Sequence, residues 1–163
     1  MPSKVFIRFA IPRDAERLVQ EGILSGPPPP GQTWVDRARR WLAEQQAGRR
    51  LILIAEDGQG IIGTVQIVFK LPDGYSDPEA ANGIDVAMME MLRTRKGAPA
   101  QIAERLIDEI QQLARKRSVK TLTFCISMDQ PRAIAQVKAW GFEEFRIMPE
   151  SRGMLAFFRK AVP

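Results

Sequence analysis

Residues 51–55, Leu-Ile-Leu-Ile-Ala, and residues 61–69 are two apolar runs rich in β-branched side chains, separated by Asp57-Gly58-Gln59-Gly60. β-Branched residues suit a pleated surface, and a Gly-rich turn between two such runs closes a β-hairpin. That hairpin sets the class of the chain, because the segments around it alternate between strand and helix signals. Residues 5–9 read as a short strand. A helix follows near Pro12, with Asp14 and Glu16 in its first turn and Leu18, Val19 and Ile23 along its apolar stripe. Gly26 and the run Pro27-Pro28-Pro29-Pro30-Gly31 stop it and form a stiff link. Thr33 with Asp36 has the pattern of a helix N-cap, and Trp34, Ala38, Trp41 and Leu42 continue a helix to about Ala47.

Beyond the hairpin, residues 71–83 are rich in Pro, Gly, Asp and Asn and predict a loop. Residues 84–92 predict a third central strand with Asp85 and Glu90 set into it, although their Met and Ala content also suits a helix. Ile102, Leu106, Ile107, Ile110 and Leu113 trace one helical face within residues 99–117, and Arg115, Lys116 and Arg117 occupy the last turn. A strand at 119–126, a helix at 131–140 closed by Gly141, and strands at 142–148 and 154–158 around Pro149-Glu150-Ser151-Arg152-Gly153 complete the chain. The expected order is β-α-α-β-β-β-α-β-α-β-β. It describes a single α/β domain with a mixed sheet over all 163 residues.

Three counts narrow the chemistry. The chain has no histidine, one cysteine (Cys125) and one tyrosine (Tyr75). Nucleophilic sites of the Ser-His-Asp or Cys-His type lack their base, and a Cys/His zinc centre lacks its ligands, so no metal is expected. One cysteine forms no internal disulfide, which suits a reducing cytosol. No segment nears the roughly 20 apolar residues of a membrane helix. Arg8 interrupts the opening apolar residues, so no signal peptide is expected, and a cytoplasmic, soluble protein is the reading. The net charge of +5 rests on short basic runs without interleaved aromatics, so no nucleic-acid partner is expected.

The order of elements resembles the GNAT family of acyl-CoA-dependent N-acyltransferases over nearly the whole chain. Residues 6–15, Phe-Ile-Arg-Phe-Ala-Ile-Pro-Arg-Asp-Ala, look like the family's opening strand and first helical turn. Ile54-Ala55-Glu56-Asp57-Gly58 with Ile62-Gly63-Thr64-Val65 looks like its second and third strands. Gln130-Pro131-Arg132-Ala133-Ile134-Ala135 through Trp140-Gly141-Phe142 is similar to its Asn-x-x-Ala and Gly-Phe segment.

The resemblance implies acetyl-CoA as co-substrate and direct attack by an amine, from a small molecule or a peptide, on the thioester. It places the cofactor's pyrophosphate on the loop and helix start that follow the fourth strand, where free amides and the helix dipole favour anions. The corresponding residues are Leu92, Arg93, Thr94, Arg95, Lys96, Gly97, Ala98, Ala100, Gln101 and Ala103, with Gln130 at the next helix. Of the family's Arg/Gln-x-x-Gly-x-Gly/Ala pattern, counted back onto residues 98–103, only Ala103 fits. Counting forward from Glu90 shifts the register by one, so the loop is rebuilt, and Pro99 removes one donor. Arg93, Arg95 and Lys96 either pair with phosphates directly or form a solvated loop.

Glu90 is the candidate general base, with Asp85 in reserve; the alternative for Glu90 is a charge facing solvent or paired with an arginine. The Leu92 backbone N–H is the implied donor to the thioester carbonyl. The family's frequent tyrosine acid falls on Val137 here. Cys125 reads as a core residue more readily than a reactive thiol, and Ser127 as a turn hydroxyl. Trp41 reads as core, while Trp34 and the 26–31 link correspond to the family's acceptor wall. Met148, Met154, Phe157 and Phe158 suggest a homodimer through the last strands. The rival to a transferase is a catalytically silent module that binds acyl-CoA or a protein.

Overall fold

The computed structural model describes residues 4–150 and 153–163. Its elements are β1 (Phe6–Phe9), α1 (Asp14–Gln20), α2 (Trp34–Gln46), β2 (Arg50–Asp57), β3 (Gly60–Val68), β4 (Val86–Thr94), α3 (Ala100–Lys116), β5 (Thr121–Ser127), α4 (Pro131–Ala139), β6 (Glu143–Glu150) and β7 (Gly153–Ala161). This is the order read from the sequence, and it is a mixed α/β architecture. The strands form one sheet in the order β1-β2-β3-β4-β5-β7-β6. Met1–Ser3, part of the segment read for a signal peptide, and Ser151 and Arg152 of the expected final turn lie outside the described residues. No helix of the described residues is long and apolar enough to cross a membrane.

The chain divides into two compact units, Met1–Ile67 with Met91–Ile110, and Val68–Glu90 with Gln111–Pro163. In the first, β1 runs antiparallel to β2, from Phe6↔Glu56 to Phe9↔Leu53. Leu18, Ile23, Ala38, Trp41, Ile52 and Ile54 are buried together, with Trp34, Leu42 and Met91 packed on them. Trp41 is only 4% exposed, the core position expected of it. The Thr33 hydroxyl accepts the Asp36 N–H at 3.1 Å and caps α2 as its spacing predicts.

The first helix is shorter than its apolar stripe suggests. Gly22 turns left-handed (φ 79°), and the N–H groups of Ile23 and Leu24 both return to the Leu18 carbonyl. Ile23 is therefore buried beneath the helix end instead of along its side. Asp14 is fully buried, bonded by Arg8 at 2.8 and 3.0 Å and by the Ile11 N–H at 2.7 Å. Burial opposes its ionisation, but the Arg8 hydrogen bonds, the Ile11 N–H and the nearby arginine charges outweigh that and hold its carboxyl below the usual range. Arg17 extends the network to Glu21 and Glu56 at 2.7 and 2.8 Å.

In the second unit, β4 pairs parallel with β5 from Val86↔Thr121 to Met89↔Phe124. Ala87 and Met89 are buried, which selects strand over helix for a segment whose composition allows both. The strand starts at Val86, two residues later than expected. The Asn82 side-chain oxygen accepts the N–H groups of Ile84, Asp85 and Val86 at 2.8–2.9 Å and keeps that stretch as a turn. β7 lies antiparallel between β5 and β6. Thr123 is buried, and its hydroxyl donates to the Ala80 carbonyl at 2.6 Å. Arg146 ties the loop before β4 to β6 through Asp77 and, at 3.0 Å, Glu79.

Candidate functional site

A strand interior strongly disfavours left-handed backbone for a residue with a side chain, yet Met91, in the middle of β4, has φ 54°. Such a residue breaks the ladder locally and re-aims the backbone groups beside it. The break is held in place from both sides. The Met91 side chain packs on the buried cluster of α1 and α2. Beyond it, the Arg95 N–H donates to the Ile62 carbonyl at 2.8 Å, so pairing with β3 is intact at the end of the strand. Leu92, whose N–H is the implied donor to a thioester, is the residue immediately after the break.

From Leu92 the chain runs through an exposed Thr94 into the loop of residues 95–99 and then α3. Gly97 takes φ 82°, a conformation that suits glycine, and the Ala98 N–H closes a turn onto Arg95 O at 2.9 Å. Ile102 N–H returns to Pro99 O at 3.0 Å, while Ala100 and Gln101, at the start of the helix, have no preceding turn to bond to. Lys96, Gly97, Ala100 and Gln101 are exposed; Ala98 and Ala103 are half-buried. α3 sits tightly on β3 at this point. A Cβ on Gly63 would lie 3.0 Å from Leu106 Cδ1, 3.2 Å from Ile102 Cγ2 and 3.3 Å from the Arg93 carbonyl oxygen.

The three basic side chains read as phosphate ligands separate in the structure. Arg95 turns back onto the hairpin, where its guanidinium donates to the Ile61 carbonyl at 3.2 and 2.8 Å and lies 3.6 Å from Asp57. Arg93 points elsewhere, with its guanidinium over the Trp34 ring at 5.2 Å and a long 3.4 Å bond to the Ser25 carbonyl. Burial, and then the charge of Arg37, lower its affinity for its proton. Only Lys96 stands on the loop as a side chain without an ion pair or hydrogen bond among the described residues. An anion at this loop would thus rest on the amides at the start of α3 and on Lys96, and those residues fit a pyrophosphate without the family's glycines.

The remaining candidates lie elsewhere in the chain. Glu90 is half-buried in β4, and its charge is among those acting on Cys125. Asp85 bonds Asn82 Nδ2 at 2.8 Å and serves the turn before the strand. Gln130 is exposed at the N-terminus of α4, with its N–H on the Ser127 carbonyl. Burial, reinforced by nearby carboxylates, pushes the Cys125 thiol up to about 11, so it is protonated at neutral pH; the residue itself is half-buried and not part of the core expected of it. Val137 is 1% exposed inside α4 and has no ionisable group to act as an acid. Tyr75 is 75% exposed beside a shallow hollow of about 280 Å³ in the loop of residues 70–82.

Sequence reasoning did not single out Arg37 or Gly63. Arg37 stands three residues after Trp34 on α2, the spacing that puts two side chains on one helical face, and this was its available signal. Its guanidinium lies 5.9 Å from the Trp34 ring and 5.4 Å from the Trp41 ring.

No family profile and no curated protein matches the sequence. Solved structures do match in three dimensions. An N-acetyltransferase from Staphylococcus aureus Mu50 superposes with a TM-score of 0.76 at 17% identity, covering 99% of this chain and 100% of that one. A GNAT-family protein from Desulfovibrio desulfuricans gives 0.75 at 13% identity over 98% and 100%. The chain has the GNAT fold. A third structure with this fold, from Salmonella typhimurium and solved with its cofactor acetyl-CoA, gives a TM-score of 0.71 at 15% identity over 98% and 94%. In this chain the left-handed Met91 of β4, the loop of residues 95–99 and the start of α3 follow one another directly.

Proposed function

We propose that the protein is an N-acyltransferase that moves an acetyl group from acetyl-CoA to an amine by direct attack. The observation that carries this reading is the left-handed Met91 inside β4, placed directly before Leu92 and followed by a loop that opens α3. The Salmonella protein's acetyl-CoA supports the choice of co-substrate.

In this reading the Leu92 N–H donates to the thioester carbonyl oxygen, where negative charge grows as the amine attacks. The amides of Ala100 and Gln101, with Lys96, hold the pyrophosphate. Gly97 lets the loop turn toward it. Arg95 braces the loop against the hairpin and contributes shape, not charge. Glu90, one residue before Met91, is assigned to take the acceptor's proton, directly or through water. Holding both substrates in line supplies most of the rate. Thiolate is a tolerable leaving group, since its conjugate acid has a pKa of about 8.5, so a site with valine at position 137 needs no phenol.

Two observations favour a second reading, a silent GNAT-fold module that binds acyl-CoA. Val137 is buried and apolar, and Arg95 is committed to the hairpin. Calorimetric titration with acetyl-CoA, followed by thiol release against a panel of amines, separates the two. Binding with turnover supports the transferase, and binding without turnover supports the module. No heat at millimolar acetyl-CoA would sink both for the acetyl group.

A further inference from the structure

Among the described residues, most arginines that reach another side chain reach an acid. Arg8, Arg17, Arg39, Arg50, Arg95 and Arg146 each lie within 4 Å of a carboxylate. Arg117 and Arg159 each lie over a phenylalanine ring instead. Arg37 and Arg93 have no ion-pair partner among the described residues, and both guanidinium groups lie over the same indole, that of Trp34. The ring itself is anchored, because Trp34 Nε1 donates to the Gly26 carbonyl at 3.0 Å. Arg37 Nε is buried without a hydrogen-bond partner, and Arg93 has only the long bond to Ser25.

Two half-buried guanidinium groups carry ten N–H donors between them, and their like charges repel at short range. Stacking on an aromatic face offsets part of that cost. An anion received between them would satisfy the open donors and cancel the repulsion. A planar carboxylate matches the guanidinium fork. The position is also informative. Arg93 follows Leu92, with Cα atoms about 3.8 Å apart. A group held by the Arg93 side chain is therefore a small molecule's length from a carbonyl held by the Leu92 N–H. The indole beside both cations offers an apolar surface to the rest of that molecule.

We infer that Arg37 and Arg93, set on Trp34, receive a carboxylate of the acceptor, so that the substrate class is an amine that also carries a carboxylate. This rests on the transferase reading above. It separates the protein from one that accepts polycations, which needs acids where this chain presents arginines.

The test compares matched acceptors on the full chain: L-methionine against L-methioninamide, L-phenylalanine against L-phenylalaninamide, and β-alanine against its amide. Wild type is run beside Arg37→Gln, Arg93→Gln and Arg37→Lys, and the last variant keeps the charge and the ring contact should the glutamines unfold. The acid of at least one pair is expected to exceed its amide in kcat/KM by about tenfold or more, the worth of a charged hydrogen bond. Each glutamine variant should erase that preference through KM, with Arg37→Lys intermediate, while the Kd for acetyl-CoA moves less than about twofold. Equal use of acids and amides by a wild type that binds acetyl-CoA overturns the inference and leaves the transferase reading standing. A tenfold loss of acetyl-CoA affinity in Arg37→Gln also overturns it, because the pair then holds a cofactor phosphate. If wild type does not bind acetyl-CoA at all, the transferase reading fails and the inferred acceptor fails with it. Melting-temperature shifts with the same pairs then show whether a carboxylate site exists there independently.

Discussion

At the scale of single residues, the proposed transferase depends most on Met91, the left-handed residue before Leu92. A β-branched side chain is far worse than methionine at positive φ, so Met91→Ile is expected to lower stability by about 1–2 kcal/mol. It should reduce acetyl transfer more than it reduces acetyl-CoA binding, because the Leu92 N–H loses its aim. Met91→Gly relieves the strain and should keep more activity than Met91→Ile; equal loss in both variants would put the role of Met91 in its side-chain packing. Glu90→Gln is expected to lower kcat by about 10²-fold or more and to abolish the acidic limb of its pH profile, with KM little changed. Cys125 is expected to resist iodoacetamide at pH 8 and to react once the protein is unfolded, as a thiol titrating near 11 requires. None of these residues announces its state by type. Methionine in a strand and cysteine in a strand read as core, and only backbone geometry distinguishes Met91 from Met89.

At the scale of elements, the helices and strands were legible because their patterns are local. Thr33 with Asp36 capped α2 as its spacing says, and Asp57-Gly58-Gln59-Gly60 closed the β2–β3 turn. Element ends were less legible, since they depend on side chains bonding backbone groups a few residues away, as Asn82 does before β4. The contact of α3 with β3 was invisible in sequence. Gly63 sits in a strand with ordinary backbone, yet Leu106, Ile102 and the Arg93 carbonyl leave little room above it. Gly63→Val is expected to cost about 1–3 kcal/mol by overpacking. It should also weaken acetyl-CoA binding, because the displaced groups are the start of α3 and the backbone of β4. A chemical-denaturation curve and one calorimetric titration check both.

For the molecule as a whole, stability should depend on acid-side pH through carboxylates in both units. The hydrogen bonds of Arg17 and then Arg8 hold Glu56 below its ordinary value, Arg146 does the same for Asp77, and Asp14 is held low against its burial. A carboxyl lowered in the folded state contributes stability that is complete above its unfolded pKa of about 4 and is lost as pH falls through the folded value. Unfolding free energy is therefore expected to be flat near neutrality and to fall below about pH 4. Asp14→Asn should shrink that fall. Asp14→Ala should cost about 3 kcal/mol at pH 7, since it leaves Arg8 without its closest partner.

The sequence by itself determined the order of elements, the resemblance to the GNAT family and the absence of any histidine to act as a base. Those follow from periodicity, capping patterns and counts, each a matter of residue type and near neighbours. Tertiary structure alone decided which of three nearby cations serves which purpose. Arg95 braces the hairpin, Arg93 joins Arg37 on Trp34, and Lys96 remains on the loop. The physical reason is reach. A long basic side chain takes the partner that folding brings within a few ångströms, and for Arg95 and Arg93 that partner is 34 and 59 residues away in sequence, taking 95 − 61 and 93 − 34.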